Sequence, residues 1–286
     1  MPTTAQKQLT PQINKLGILA GAGNIPQTLI RYCKDQAIQT YVVGFEGQCD
    51  LNGDSADLIA RLGEAGKVIK SLKNADVSDL VLIGRIRRPS LSELKPDLKT
   101  AEFFAKEGLN AIGDDGLLKA LKRFLEKEGF ALHGVHTIMP ELLSPEGDLT
   151  KIKASKQHER DIARGCRLLD ILGEQDVGQS VVVQQGHILG VEGAEGTDEL
   201  IRRCAGLQRK GDKAVLVKLS KKGQDHDLDL PTIGPQTIQE CVDAGFAGLA
   251  VHAGLSLFED REEAVQTGNK AKIFIKGIQP ERYLEM

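Results

Sequence analysis

The sequence predicts an α/β protein of two domains, the first built on a doubly wound, mostly parallel sheet. Strand-length apolar runs alternate with helical stripes along the chain. A loop carrying two prolines and a glycine, Met139-Pro140 through Gly147-Asp148, interrupts that alternation near the middle. With 286 residues there is chain enough for two ordinary domains. The expected division is a disordered leader over 1–14, a first domain over 15–140 and a second over 148–286.

Residues 1–12 are polar, rich in threonine and glutamine, and lack the apolar core of a signal peptide. Lys15–Ala20 reads as a buried strand, followed by Gly21-Ala22-Gly23-Asn24-Ile25-Pro26. A helix comes next, because Ile25, Leu29, Ile30, Cys33 and Ala37 fall on one face. Thr40–Phe45 is a second strand, and Val68, Ile69 and Leu72 mark a helix after Gly66. Asp79–Gly84 is a third strand, apolar enough to be covered on both faces. Leu117, Leu118, Leu121, Phe124 and Leu125 form a helical stripe, and Phe130–Val135 reads as a further strand. The second half opens with a helix over Lys156–Leu172, buried through Ile162, Cys166, Leu169 and Leu172. Ser180–Gln184 and His187–Val191 flank Gln185-Gly186, a tight hairpin. Ala214–Leu219 is a strand, and Gly234-Pro235 starts a helix through Ala244, since proline suits the first helical turn. Gly248–His252 and Lys272–Ile275 are strands around a helix near Arg261–Gly268. The hairpin makes this half α/β without being a repeat of the first.

Composition removes several classes of function. At net charge −3 no basic surface invites nucleic acid, and a 41% apolar fraction is that of an ordinary globular protein. The five cysteines are dispersed without a Cys-x-x-Cys pair, which fits reduced thiols in a cytosol. No apolar run reaches about 18 residues, so a lipid partner would be met from the water side.

Several loops carry chemistry. Glycines at Gly21 and Gly23, between a strand and a helix, let backbone approach a phosphate. The third glycine of a dinucleotide fingerprint is missing, and Glu46 after the second strand is a weak candidate for a ribose. Spacing alone leaves nucleotide binding and a tight structural corner equally open. Gly84-Arg85-Ile86-Arg87-Arg88-Pro89 follows the third strand, where arginines clamp phosphate oxygens or are simply solvated. Asp114 and Asp115 precede a helix and are first of all good N-caps, with metal or ribose binding the minor reading. Glu192, Glu195 and Asp198 gather among small residues after the hairpin. In Lys218–Pro231, Asp225 and Asp229 can reach one divalent ion if the loop folds back, leaving Lys218 or Lys221 for phosphate. His133 and His136 would face opposite sides of a strand, and His252 reads as a core histidine. No Gly-x-Ser-x-Gly elbow or zinc-ligand spacing occurs, which disfavours a serine or zinc hydrolase.

Taken in order, these segments resemble the UDP-2,3-diacylglucosamine pyrophosphatases of the LpxI type. The matching pieces are Gly17–Pro26, Gly84 with Arg88-Pro89, Ile112–Leu118, Glu195–Asp198, Gln224-Asp225 and Asp229–Gly234, so the likeness spans roughly 15–280. The resemblance implies a Rossmann-like, substrate-holding first domain and a second, α/β domain that carries out the hydrolysis. It further implies a magnesium-dependent cleavage of UDP-2,3-diacylglucosamine to UMP and diacylglucosamine 1-phosphate. Substrate contacts would come from Gly21, Gly23, Asn24, Ile25, Pro26, Gly84, Arg88, Asp114, Asp115, Thr197 and Gln224. Asp225 and Lys218 would be catalytic, and Asp225, Asp229, Glu195 and Asp198 would surround Mg2+. Where the family pattern has an arginine two residues after Gln-Asp, this chain has Asp227, which alters the local charge balance. A cytoplasmic homo-oligomer touching the inner membrane only through its lipid substrate is expected. Two other readings stay open: a nucleotide-dependent oxidoreductase, from the glycine turn alone, and a non-catalytic nucleotide-sugar or lipid-binding protein. Neither requires the acidic cluster.

Overall fold

The computed structural model describes residues 13–51, 55–87, 94–107, 114–175 and 177–285. The chain divides into one compact unit ending at Pro140 and another beginning at Glu141. The leader expected over 1–14 lies almost wholly outside the described residues.

The first unit runs β1 (Lys15–Ala20), α1 (Ile25–Asp35), β2 (Gln39–Phe45), β3 (Leu58–Ala60), α2 (Ala65–Asn74), β4 (Asp79–Ile83), α3 (Leu98–Glu107), α4 (Asp114–Lys127), β5 (Ala131–Leu132) and α5 (Val135–Ile138). Its five described strands are all parallel, in the order β3-β2-β1-β4-β5. Strand order reverses at β1 and β4, which brings the loops after these two strands side by side at the carboxyl edge. Burial drives the arrangement. Leu19, Val43 and Leu80 of the sheet pack with Val68, Ile69 and Leu72 of α2 and with Leu125 of α4.

The strand expected over Phe130–Val135 keeps only two residues, because Val135 opens a one-turn helix from an extended Gly134. His133 and His136 therefore do not alternate across a strand. His136 lies in that turn, and His133 sits before it with Nε2 2.7 Å from Asp79 Oδ1. The short edge strand β3 and the helix α3 had no clear apolar period in the sequence.

The second unit runs β6 (Gly147–Asp148), α6 (Lys156–Gly173), β7 (Ser180–Gln184), β8 (His187–Val191), α7 (Thr197–Ala205), β9 (Val215–Lys218), β10 (Thr232–Ile233), α8 (Pro235–Asp243), β11 (Gly248–His252), β12 (Leu257–Phe258), α9 (Arg261–Ala271), β13 (Phe274–Ile278) and α10 (Glu281–Leu284). Six strands form a mixed sheet in the order β6-β13-β11-β9-β7-β8. The inner strands β13, β11 and β9 are parallel, while β6 and β7 join antiparallel and β8 closes the hairpin with β7. β10 and β12 pair separately. Alternation along β9 splits its side chains between two cores. Leu216 packs with Leu200 and Ile201 of α7 on one face, whereas Val215 and Val217 pack with Ile162 and Cys166 of α6 on the other. The last strand starts at Phe274 rather than Lys272, because Lys272 caps α9 in the left-handed region at φ 59°. The five cysteines are free thiols, and among the described residues no helix is long and apolar enough to cross a membrane.

The hairpin turn is held from below. Gln185 and Gly186 both take positive φ, 49° and 78°, as a two-residue turn matched to strand twist requires. Their amides donate to the fully buried Asp161 carboxylate of α6, at 2.9 and 2.7 Å. Asp161→Ala strands those donors and is expected to destabilise the protein by about 2–3 kcal/mol. A urea melt showing a loss under about 0.5 kcal/mol would remove this role.

Candidate functional site

The carboxyl ends of β9, β11 and β13 form the edge where a parallel sheet presents its loops to a ligand. β9 ends in Lys218, whose side chain lies on the α7 face with that of Leu216 and is only 6% exposed. Its Nζ donates to Thr197 Oγ1 at 2.8 Å. Thr197 opens α7 after Gly196, is itself buried, and donates to Glu192 Oε1 at 2.9 Å. The Ser180 hydroxyl lies 3.3 Å from the same Thr197 oxygen. The second oxygen of Glu192 accepts the Gln179 amide at 3.2 Å.

Beyond Lys218 the chain turns through a loop organised by Gln224. This buried amide accepts from Ser220 Oγ at 3.1 Å and from the Lys221 amide at 3.0 Å, and it donates to Asp229 Oδ2 at 2.6 Å. Asp225 and Asp229 are one helical turn apart, with the Asp229 amide donating to the Asp225 carbonyl at 3.1 Å. Asp225 Oδ1 accepts the Asp227 amide at 3.1 Å. Asp227 thus takes part in the turn through its backbone. Across the sheet from Lys218, a cavity of about 130 Å³ opens between Leu169, Leu219, Ser220, Lys221, His252 and Pro280. His252 is 8% exposed, its Nδ1 has no hydrogen-bond partner among the described residues, and burial holds its pKa below the ordinary histidine value.

The structure therefore brings Lys218 to Thr197, and Gln224 to Asp229 beside Asp225. Glu195 is engaged elsewhere. It pairs with Arg203 at 2.8 Å and accepts the Gly193 amide at 3.0 Å, and the Arg203 hydrogen bond holds its carboxyl below the usual range. Asp198, in the first turn of α7, accepts from Gln236 at 3.2 Å. Among the described residues no three His, Cys, Asp or Glu side chains converge as a metal-holding group. The four carboxylates expected around magnesium are accordingly not one preassembled cage. Asp225 and Asp229 are the smaller set that fits, two hard oxygen donors in one turn, since magnesium takes one or two carboxylates and completes its shell with water and phosphate.

In the first unit the glycine turn is closed against the loop after β4. The amides of Gly21 and Ala22 donate to the Ile83 and Arg85 carbonyls, each at 2.8 Å, and Arg85 returns a bond to Ala22. A Cβ on Gly21 would lie 2.5 Å from the Arg85 oxygen, and one on Gly84 would lie 2.7 Å from the Gly21 carbonyl carbon. The two glycines thus let the two backbones meet. The Gly23 amide donates to Asp50 Oδ2 at 2.6 Å. Asn24 is an exposed N-cap without a side-chain cap bond, and the buried Ile25 and Pro26 seat the first turn of α1. Arg85 and Arg87 are exposed, whereas Arg88 lies outside the described residues. Asp114 and Asp115 open α4, and their side chains also lie outside what is described.

Sequence reasoning passed over Ser180 and Asp50, and it left Glu192 as one carboxylate among three. Nothing local marks Glu192 as buried, because it stands at the head of a charged, glycine-rich run. The available signal was its place directly after β8, where chain direction still follows the sheet.

Comparison with known proteins adds to this geometry. The family profile described as the LpxI N-terminal domain matches residues 15–142, and that of the LpxI C-terminal domain matches residues 145–276. Over 279 residues the chain is 33% identical to the UDP-2,3-diacylglucosamine pyrophosphatase LpxI of Caulobacter vibrioides, spanning 94% of this chain and 99% of that protein.

Proposed function

The chain belongs to the LpxI family, and from that premise we propose that it hydrolyses the pyrophosphate bond of UDP-2,3-diacylglucosamine. The products are 2,3-diacylglucosamine 1-phosphate (lipid X) and UMP, a step of lipid A biosynthesis. The name of the Caulobacter relative supports the substrate. The observation that carries the reading on this chain is a buried, hydroxyl-anchored Lys218 at the strand end that leads into the Asp225–Asp229 turn. We read the first unit's strand order as Rossmann-like and the second unit as the hydrolase domain.

Asp225 and Asp229 would hold Mg2+, which when bound polarises a phosphoryl group and lowers the pKa of a coordinated water. Asp225 orients the attacking water. As water adds to phosphorus and the anhydride P–O bond breaks, negative charge gathers on the leaving phosphate. A fixed ammonium at Lys218 stabilises that charge without reorganising. Gln224 holds Asp229 in register and so keeps the turn in shape. The site belongs to a cytoplasmic homo-oligomer that meets the membrane only through its lipid substrate.

Purified protein with UDP-2,3-diacylglucosamine is expected to release UMP in magnesium and to stop on chelation. Absence of UMP in magnesium would reject the reading. Two rivals fall within the same experiment. A nicotinamide-dependent oxidoreductase would bind its dinucleotide at the glycine turn, yet the amides of Gly21, Ala22 and Gly23 already serve Ile83, Arg85 and Asp50. A sensor would bind substrate in magnesium without turnover.

A further inference from the structure

We infer that Glu192 is a positioning residue for Lys218, acting through the hydroxyl of Thr197. The inference rests on the hydrolase reading above, in which Lys218 meets the leaving phosphate.

Three strands and one helix build the arrangement. Ser180 and Lys218 are directly paired across β7 and β9, and the Glu192 amide donates to the Ser180 carbonyl at 2.9 Å. These three residues therefore stand side by side across the sheet, and Thr197 of α7 covers them. Their exposures are 0% for Ser180, 6% for Lys218, 7% for Glu192 and 9% for Thr197. The rest of that face is aliphatic, with Val182 and Leu216 next along the two strands.

Chemistry fixes the direction of every bond. An ionised carboxylate only accepts, so the single hydroxyl hydrogen of Thr197 goes to Glu192. The two lone pairs of Thr197 are then left to accept, one from Lys218 at 2.8 Å and one facing Ser180 at 3.3 Å. Glu192 is itself held by the Gln179 amide on its second oxygen. The β-branched threonine has a stiff χ1, so its oxygen is a fixed point for the ammonium. Lys218 is thereby aimed from the end of a rigid strand rather than left on a mobile four-carbon stem.

Stability alone does not account for the set. Removing an ammonium and a carboxylate from water is costly for each ion, and well-packed apolar residues often do as well or better. A buried cation bridged to a buried anion at the ligand edge of a sheet is what an aimed charge requires.

The test is steady-state UMP release by Glu192→Gln, Thr197→Val and Thr197→Ser, each also made in a Lys218→Met background and followed there under single-turnover conditions. Glu192→Gln and Thr197→Val are expected to lower kcat about a hundredfold, the size of effect a misplaced catalytic group produces, with KM changed less than about threefold. Thr197→Ser keeps the hydroxyl and should recover most of what Thr197→Val loses. Because Glu192 acts through the lysine, Glu192→Gln should add little once Lys218 is gone. Retention of kcat in Glu192→Gln and Thr197→Val would overturn the inference, and so would effects that multiply in the Lys218→Met background.

A second measurement separates this inference from the hydrolase reading. The Lys218 ammonium should give a slowly exchanging 15N–1H resonance, assigned by its absence in Lys218→Met, that disappears in Thr197→Val and Glu192→Gln. A wild type that releases no UMP would reject the hydrolase reading, and the resonance would still decide the positioning. A signal unchanged in both variants would overturn it.

Discussion

Asp225→Ala is expected to lower UMP release by about a hundred- to a thousandfold, the loss typical of removing one group that stabilises or orients the reacting atoms. Substrate binding should survive. The turn around Asp225 is closed by backbone bonds, from Leu228 and Asp229 to the Asp225 carbonyl at 3.0 and 3.1 Å, which alanine retains. Gln224 keeps its bonds to Ser220, the Lys221 amide and Asp229. Alanine removes a hard oxygen donor and the acceptor for the Asp227 amide. Calorimetric binding of UDP-2,3-diacylglucosamine to the variant, beside kcat for UMP release, separates the two effects. A variant with full turnover, or one that no longer binds, would refute the assignment of Asp225 to the chemical step.

Lys218→Met should cost both activity and stability. Activity falls about a hundredfold or more, because a preorganised charge beside the leaving phosphate is lost. Stability falls by about 3–5 kcal/mol, because the buried Glu192 loses the cation bridged to it through Thr197. Adding Glu192→Gln removes that orphaned charge and is expected to restore most of the stability and none of the activity. Urea melts and UMP assays on the single and double variants give four numbers. A double variant no more stable than Lys218→Met would show that the carboxylate and the ammonium are not coupled.

Much of the architecture was legible because burial imposes periods on sequence. The first strand shows five of six residues buried, and it reads as an unbroken apolar run. Gln185-Gly186 announced the hairpin because both positions must take positive φ, which glycine accepts freely and most pairs do not. Short elements gave no such signal. Phe130–Val135 looks like a strand by residue type, but its strand register against β4 covers Ala131 and Leu132 alone. Lys272 sits at the edge of an apolar run, yet it is taken by the left-handed cap of the preceding helix.

At the site the division is sharper, and Glu192 and Glu195 illustrate it. They lie three residues apart in one charged, glycine-rich run and look alike in the sequence. By itself the sequence determined that carboxylates cluster after the hairpin and that a loop holding Asp225 and Asp229 follows a strand that contains Lys218. Only the tertiary structure decided that Glu192 is buried against Thr197 while Glu195 is exposed and paired with Arg203. Likewise, the sequence left the glycine turn open between a phosphate cradle and a structural corner, and only the fold shows Ile83, Arg85 and Asp50 arriving from elsewhere in the chain to take its amides. The physical reason is the same in both cases. Whether a charge is desolvated, and whether a donor is already satisfied, depends on groups distant in sequence that pack against it, and local order does not encode them.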